Sequence, residues 1–238
     1  MKLEVCVADP ISLAAAIEGG AERIELCSAL ELGGLTPLPG LIALAARSEV
    51  ETYALVRPRS GDFVFDGHDV DAMLHDIDAI RAAGLAGVVI GANRADGSLD
   101  EEVLARLLEH AQGLGTTLHR AIDLVPDFAE ATEIAVSLGF ERILTSGGAP
   151  TALEGLGQLA LAHATARGRI RIMAGSGVRP DNVLELLGAV PVDEVHSSCA
   201  GTPQPSAEGA VRLGFAARTK RHTDAAVVRQ FREVLASR

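Results

Sequence analysis

Tryptophan is absent, tyrosine occurs once and phenylalanine six times in 238 residues. So few aromatic rings leave nothing to serve as the stacking platforms on which proteins hold single-stranded bases. An excess of positive charge is lacking too. The formal net charge is −11, the opposite of the basic footprint of a dedicated nucleic-acid binder. Three cysteines are too few for a disulfide framework. No apolar run approaches the roughly 18 residues that suggest a membrane span. The opening segment Met1-Lys2-Leu3-Glu4-Val5 lacks the basic-then-apolar order of a secretory signal. Together these absences predict a soluble, cytoplasmic protein with reduced thiols, and with neither nucleic acid nor membrane among its partners.

What is present is core material. Hydrophobic residues make up 48% of the chain and charged residues 22%, a balance that excludes disorder. Twenty-five glycines predict many tight turns. The charge is unevenly spread: from Ser206 onward there are seven Lys or Arg against three Asp or Glu, so residues 1–205 carry −15 and the tail +4.

Short apolar runs of strand type recur along the chain, at residues 3–7, 23–27, 52–57, 87–90, 116–119, 142–145, 171–174 and 194–197. Their starts lie 20 to 35 residues apart. Helix-patterned segments separate them. Asp9-Pro10 opens the first as N-cap and first helical residue, and Gly19-Gly20 closes it. Residues 69–83 carry Val70, Met73, Leu74, Ile77 and Ile80 at helical spacing, and 100–112, 127–138, 151–165 and 181–187 complete the set. Eight strands alternating with helices at so regular an interval predict an α/β fold of the (β/α)8 TIM-barrel type. A doubly wound sheet is the rival, but it usually opens on a GxGxxG turn, which is missing here. No linker breaks the pattern, so the barrel is assigned to residues 1–202. Residues 203–238 then form an extension ending in a helix at about 224–235, which places Val227, Val228, Phe231 and Leu235 on one face, to be packed on the barrel or on a neighbouring subunit.

In this fold chemistry collects at the C-terminal ends of the strands. The first two offer Glu4-Val5-Cys6 and Glu25-Leu26-Cys27, and period-two alternation sets each glutamate on the side of its cysteine. If that side is the lumen, two thiols from adjacent strands come within reach of each other. Thiolate, imidazole and thioether select Cu(I) or Zn(II) over harder ions; the alternative is that both cysteines are small, inert core residues. A second chemistry is anion binding. Arg57 and Arg59 after the third strand offer bidentate contacts. Ser146 and Gly147 after the sixth strand, and Gly175, Ser176 and Gly177 after the seventh, offer backbone and hydroxyl donors where many barrels bind phosphate. Glu25, His119 and Asp123 are suited to proton transfer, which would make the chain an enzyme acting on a small anionic or phosphorylated metabolite. The plain alternatives are that the glycines serve only the turns and that Glu4, Glu25 and Arg57 neutralise buried partners. The histidines at 68, 75, 110, 163 and 222 fall on helices or loops, away from strand ends, and are assigned to the surface, whereas His196 stands at the end of the eighth strand; Cys199 is assigned to a loop beyond it.

Several ordered segments resemble the CutC family: Glu4-Val5-Cys6-Val7, the run from Gly19 to Ser28, Gly33-Gly34-Leu35-Thr36-Pro37, the run from Arg57 to Phe63, His119-Arg120-Ala121-Ile122-Asp123, the run from Arg142 to Gly148, and Glu194-Val195-His196-Ser197-Ser198. The resemblance spans residues 1 to about 202. It implies a (β/α)8 barrel, a cytoplasmic location, homo-oligomers (dimer or tetramer) and a role in copper homeostasis. It also implies Cys6 and Cys27 as the Cu(I) ligands. The chain departs from that family's pattern at Pro39, at Ser60 and at Ser176, the last standing within what is usually a run of glycines.

Overall fold

The computed structural model describes residues 1–237. Eight short strands close on themselves in sequence order: β1 (Lys2–Val7), β2 (Arg23–Leu26), β3 (Glu51–Leu55), β4 (Gly87–Ile90), β5 (Gly115–Leu118), β6 (Arg142–Thr145), β7 (Arg171–Ala174) and β8 (Glu194–Ser197). Every pairing is parallel, and β8 returns to β1 with Glu4 opposite His196. Helices α1 (Pro10–Gly19), α2 (Pro39–Ala45), α3 (Gly67–Ala82), α4 (Glu101–His110), α5 (Phe128–Leu138), α6 (Leu156–Ala166) and α7 (Val183–Ala189) connect the strands. The chain is a (β/α)8 barrel.

Strands β4, β6, β7 and β8 coincide residue for residue with the sequence expectation, whereas the starts of α3, α6 and α7 differ from it, α6 beginning at Leu156 rather than at 151. Asp66 rather than Asp69 caps α3: its carboxylate accepts from the His68 and Asp69 N–H groups, and Asp69 reaches back to the Asp66 N–H. At α7 the expected start at 181 moves to Val183, because Asn182 is engaged in the preceding loop, accepting from Arg179 N and donating to Gly177 O.

Both faces of β1 and β2 are buried, so burial alone does not tell which side of a strand faces the lumen; the partners of each residue decide. Leu3, Val5, Val7, Ile24, Leu26, Ala54, Val56, Val88 and Ile90 join Leu13, Met73, Ile77 and Leu104 of the surrounding helices in one large cluster. The alternate positions, Glu4, Cys6, Arg23, Glu25, Cys27, Tyr53, Leu55 and Val89, therefore face the lumen, where Cys27, Tyr53, Leu55 and Val89 form a small apolar cluster of their own. The lower lumen is charged. Arg23 binds Glu4 at 2.5 Å and also Glu194, Arg142 lies 3.2 Å from Glu194, and the single tyrosine, Tyr53, sits beneath both guanidinium groups at 5.5 and 4.7 Å. Glycine at 87 and 115 leaves room for that ring, since a Cβ at either would run into it.

Beyond the barrel, β9 (Gln204–Pro205) and β10 (Thr219–Lys220) pair as an antiparallel ribbon around the short α8 (Glu208–Arg212), an arm with no buried residue in any of the three elements. The terminal helix α9 (Ala225–Ala236) lies on α1 of the same chain, with Val228 and Phe231 buried in the main cluster. The close approach requires Gly19, where a Cβ would stand 2.5 Å from Val228 Cβ and 2.9 Å from the Ala225 carbonyl oxygen. Gly19→Ala is expected to cost about 1–3 kcal/mol by overpacking and to raise amide exchange in α9 well above exchange in the barrel strands; uniform exchange across both would show that α9 is not anchored there.

Candidate functional site

At the C-terminal ends of the strands the barrel opens into a cavity of about 470 Å³. Cys6, Glu25 and His196 meet there. The pairing register sets Cys6 beside Glu25, and β8 brings His196 in from the other side of β1. Their ligand atoms all lie within 4.8 Å of one another, which makes this the one such group of metal-ligating side chains among the described residues. His196 Nδ1 is 2.8 Å from Glu4 Oε1, and its Nε2 is 3.8 Å from Glu25 Oε2. Burial alone would strip the imidazole of its proton, but Cys6, Glu25 and Glu4 around it hold its pKa well above the ordinary value. Glu25 is pushed up to about 7 by burial, reinforced by the charge of Glu4 and opposed by His196 and Arg23.

Cys27 shares the lumen with Cys6 but is not part of that group. Its Sγ lies 3.4 Å from the Val7 carbonyl oxygen, to which it donates, and burial pushes the thiol far up. Cys199 is buried as well, its thiol pushed up to about 12 by desolvation. All three cysteines are free.

The residues suited to anion binding and proton transfer divide into three places. Arg57 and His119 line the cavity. Arg59 does not line it and is held by Asp69 at 2.8 Å and Asp62 at 3.1 Å. Asp123 is the hub of the β6 loop: it accepts from Thr145 Oγ1 at 2.5 Å, Ser146 N at 3.1 Å, Gly148 N at 3.0 Å and Arg120 Nε at 2.6 Å. The Gly147 N–H goes to Thr145 Oγ1 at 2.8 Å. The N–H groups expected to cradle an external anion after β6 are thus engaged by the chain's own carboxylate and hydroxyl. After β7, Ser176 and Gly177 line the cavity, while Gly175 lies beneath them against Leu144 and His196. Ser176 has φ +73, a left-handed conformation costly for a residue with a Cβ, and its hydroxyl donates to Pro150 O at 2.6 Å.

His196, Arg120, Arg179 and Arg221 also line the cavity, and none of them was given a role from sequence alone. For His196 a signal existed, since it alternates with Glu194 along β8 and so shares the luminal side. Arg120 stands next to His119 in a segment already noted. Nothing local marks Arg221, which reaches the mouth from the C-terminal extension.

The CutC family model matches residues 1–201. A CutC family protein of Sinorhizobium medicae (strain WSM419) is 58% identical over 233 residues, covering 98% of this chain and 95% of the relative. One from Caulobacter vibrioides (strain NA1000 / CB15N) is 58% identical over 212 residues, covering 89% and 86%. Among solved structures, a protein of Streptococcus agalactiae described as a candidate copper homeostasis protein CutC superposes with a TM-score of 0.79 at 28% identity, covering 83% of this chain and 98% of its own. With a family model spanning the whole barrel and relatives this similar along nearly their full length, the chain belongs to the CutC family.

Proposed function

We propose that this chain is a cytoplasmic copper-handling protein that takes Cu(I) as cargo at the mouth of the barrel. The observation that carries this is the approach of Cys6 Sγ, the Glu25 carboxylate and the His196 imidazole to within 4.8 Å of one another beside a cavity of about 470 Å³. A thiolate and an imidazole are donors that suit Cu(I). Cys27, which faces the same lumen from the neighbouring strand, is the second sulfur of the proposed site. The copper role described for the Streptococcus agalactiae relative supports the same assignment, and three free thiols suit a reducing compartment. The proposal includes a homo-oligomer, for which the exposed Leu213 and Phe215 on the arm are the support.

Anaerobic competition of the reduced protein against a chromogenic Cu(I) chelator tests it. One ion per chain is expected, with affinity reduced about 100-fold or more in Cys6→Ser and His196→Ala, each checked by its thermal melt. Cys27→Ser separates a two-sulfur site, in which it loses as much as Cys6→Ser, from a Cys-His site, in which it loses little. Wild-type affinity no tighter than that of a single exposed thiol would overturn the proposal.

A further inference from the structure

Across the lumen from β8 and β1, the cavity wall is built by Arg57, which follows β3, and His119, which follows β5; both are 5% exposed. Arg57 Nη1 donates to the Leu32 and Gly34 carbonyls at 2.9 Å each, and Nη2 to the Gly61 carbonyl at 2.7 Å. These partners are neutral, and among the described residues no carboxylate pairs with this guanidinium. Its Nε–H has no partner. The His119 ring is fixed by a hydrogen bond that the Ala121 N–H donates to Nδ1 at 3.1 Å. A backbone N–H can only donate, so Nδ1 is unprotonated and the ring proton sits on Nε2. That Nε2–H also lacks a partner. Burial and the nearby Arg57 charge hold the imidazole pKa down to about 3, in keeping with this neutral tautomer. Phe63 lies against both groups, 4.7 Å from the His119 ring centre and 4.9 Å from the Arg57 guanidinium carbon.

A buried donor without an acceptor carries the full cost of its desolvation, and a buried cation without a counter-ion costs more. Two such donors and one such charge on one wall are explained together by a single oxyanion. We infer that this wall is an anion subsite: Arg57 Nε and His119 Nε2 donate to an oxygen of a carboxylate or phosphate group on a small organic anion, which turns the Phe63 ring aside as it enters. The cavity falls in the size range of small-molecule sites. Arg221 lines the same mouth and adds positive charge that draws the anion in. The remainder of the ligand then faces Cys6, Glu25 and His196. The subsite needs no copper, so it stands or falls separately from the metal proposal.

The test uses the metal-free, reduced full chain. Long-range ¹H–¹⁵N spectra follow the His119 ring nitrogens during titration with malonate in one arm and inorganic phosphate in the other. A saturable shift of the Nε2 signal is expected in at least one arm, and the arm that responds identifies the group. Arg57→Lys and His119→Ala should weaken anion binding, measured by calorimetry, about tenfold or more. No shift in either arm at tens of millimolar anion, with the wild-type protein folded, overturns the inference. So does calorimetric binding that is unchanged in both cavity variants.

Discussion

Replacing Arg23 by methionine is expected to lower folding stability by about 3–5 kcal/mol, read as a fall in the urea midpoint of the metal-free, reduced protein. Arg23 is fully buried, and its guanidinium joins Glu4, Glu194 and the sulfur of Met173 inside the barrel. Methionine fills much of the volume but leaves two buried carboxylates short of a cation. The loss is bounded because His196 still holds Glu4 at 2.8 Å and Arg142 still lies 3.2 Å from Glu194. The sign of the pH dependence follows from Glu4. Burial acts to raise its pKa, but His196 and Arg23 outweigh this and hold it at about 2, against an ordinary value of 4.5. A depressed carboxylate adds stability above its unfolded pKa, and that stability fades as pH falls through the folded one. Arg23→Met lacks the guanidinium share of this stabilisation, so the gap between the two proteins is widest at neutral pH and narrows in acid. Arg23→Lys keeps the charge without the planar fork and should fall between them. A cost below about 1 kcal/mol for Arg23→Met would mean that water, not Arg23, compensates these carboxylates.

The barrel was legible because its cues are local and repeated. A βα unit announces itself by a short apolar run, a capping residue such as Asp9 or Asp127, and a glycine such as Gly20 or Gly139 that ends the helix in the left-handed region. The pairing of Glu4 with Cys6, and of Glu25 with Cys27, on one side of their strands was legible from alternation alone. Which side that was could not be read, because the strands are buried on both faces. The partners at the lumen were hidden for a different reason. Glu4 meets His196 across 192 positions and Arg23 meets Glu194 across 171, separations that only closure of the barrel sets. The same holds for Arg221, brought to the mouth by an extension whose anchor is the contact of Val228 with Gly19. Residue type suggested that Arg59 binds an anion and that Asp123 moves a proton. In the fold, Asp62 and Asp69 engage the first, and the β6 loop engages the second.

Asp123→Ala is the second substitution with a large expected effect, about 3 kcal/mol, because hydrogen bonds to a charged group contribute about 1.5–3 kcal/mol each and stranded donors add their desolvation. The side chain is only 7% exposed. Its two oxygens collect the Thr145 hydroxyl, the Ser146 and Gly148 amides and the Arg120 guanidinium. Through Thr145, which accepts from the Gly147 N–H, the carboxylate also orders the residue between those amides. Alanine therefore frees the whole turn after β6 together with Arg120 on the cavity wall. Asparagine separates this role from proton transfer. It keeps one oxygen for Thr145, Ser146 and Gly148, but its amide would face Arg120, donor against donor. Asp123→Asn should accordingly cost about 1–2 kcal/mol, less than alanine, and loosen Arg120, which keeps only the Ser146 hydroxyl and the Ala149 carbonyl, while the loop holds. Urea unfolding gives the ranking, and amide exchange at Ser146 and Gly148 gives the location: strong acceleration in the alanine variant, little in the asparagine one. If both variants matched the wild type in stability and exchange, Asp123 would be a free carboxylate at the barrel mouth, available for proton transfer rather than spent on holding the loop.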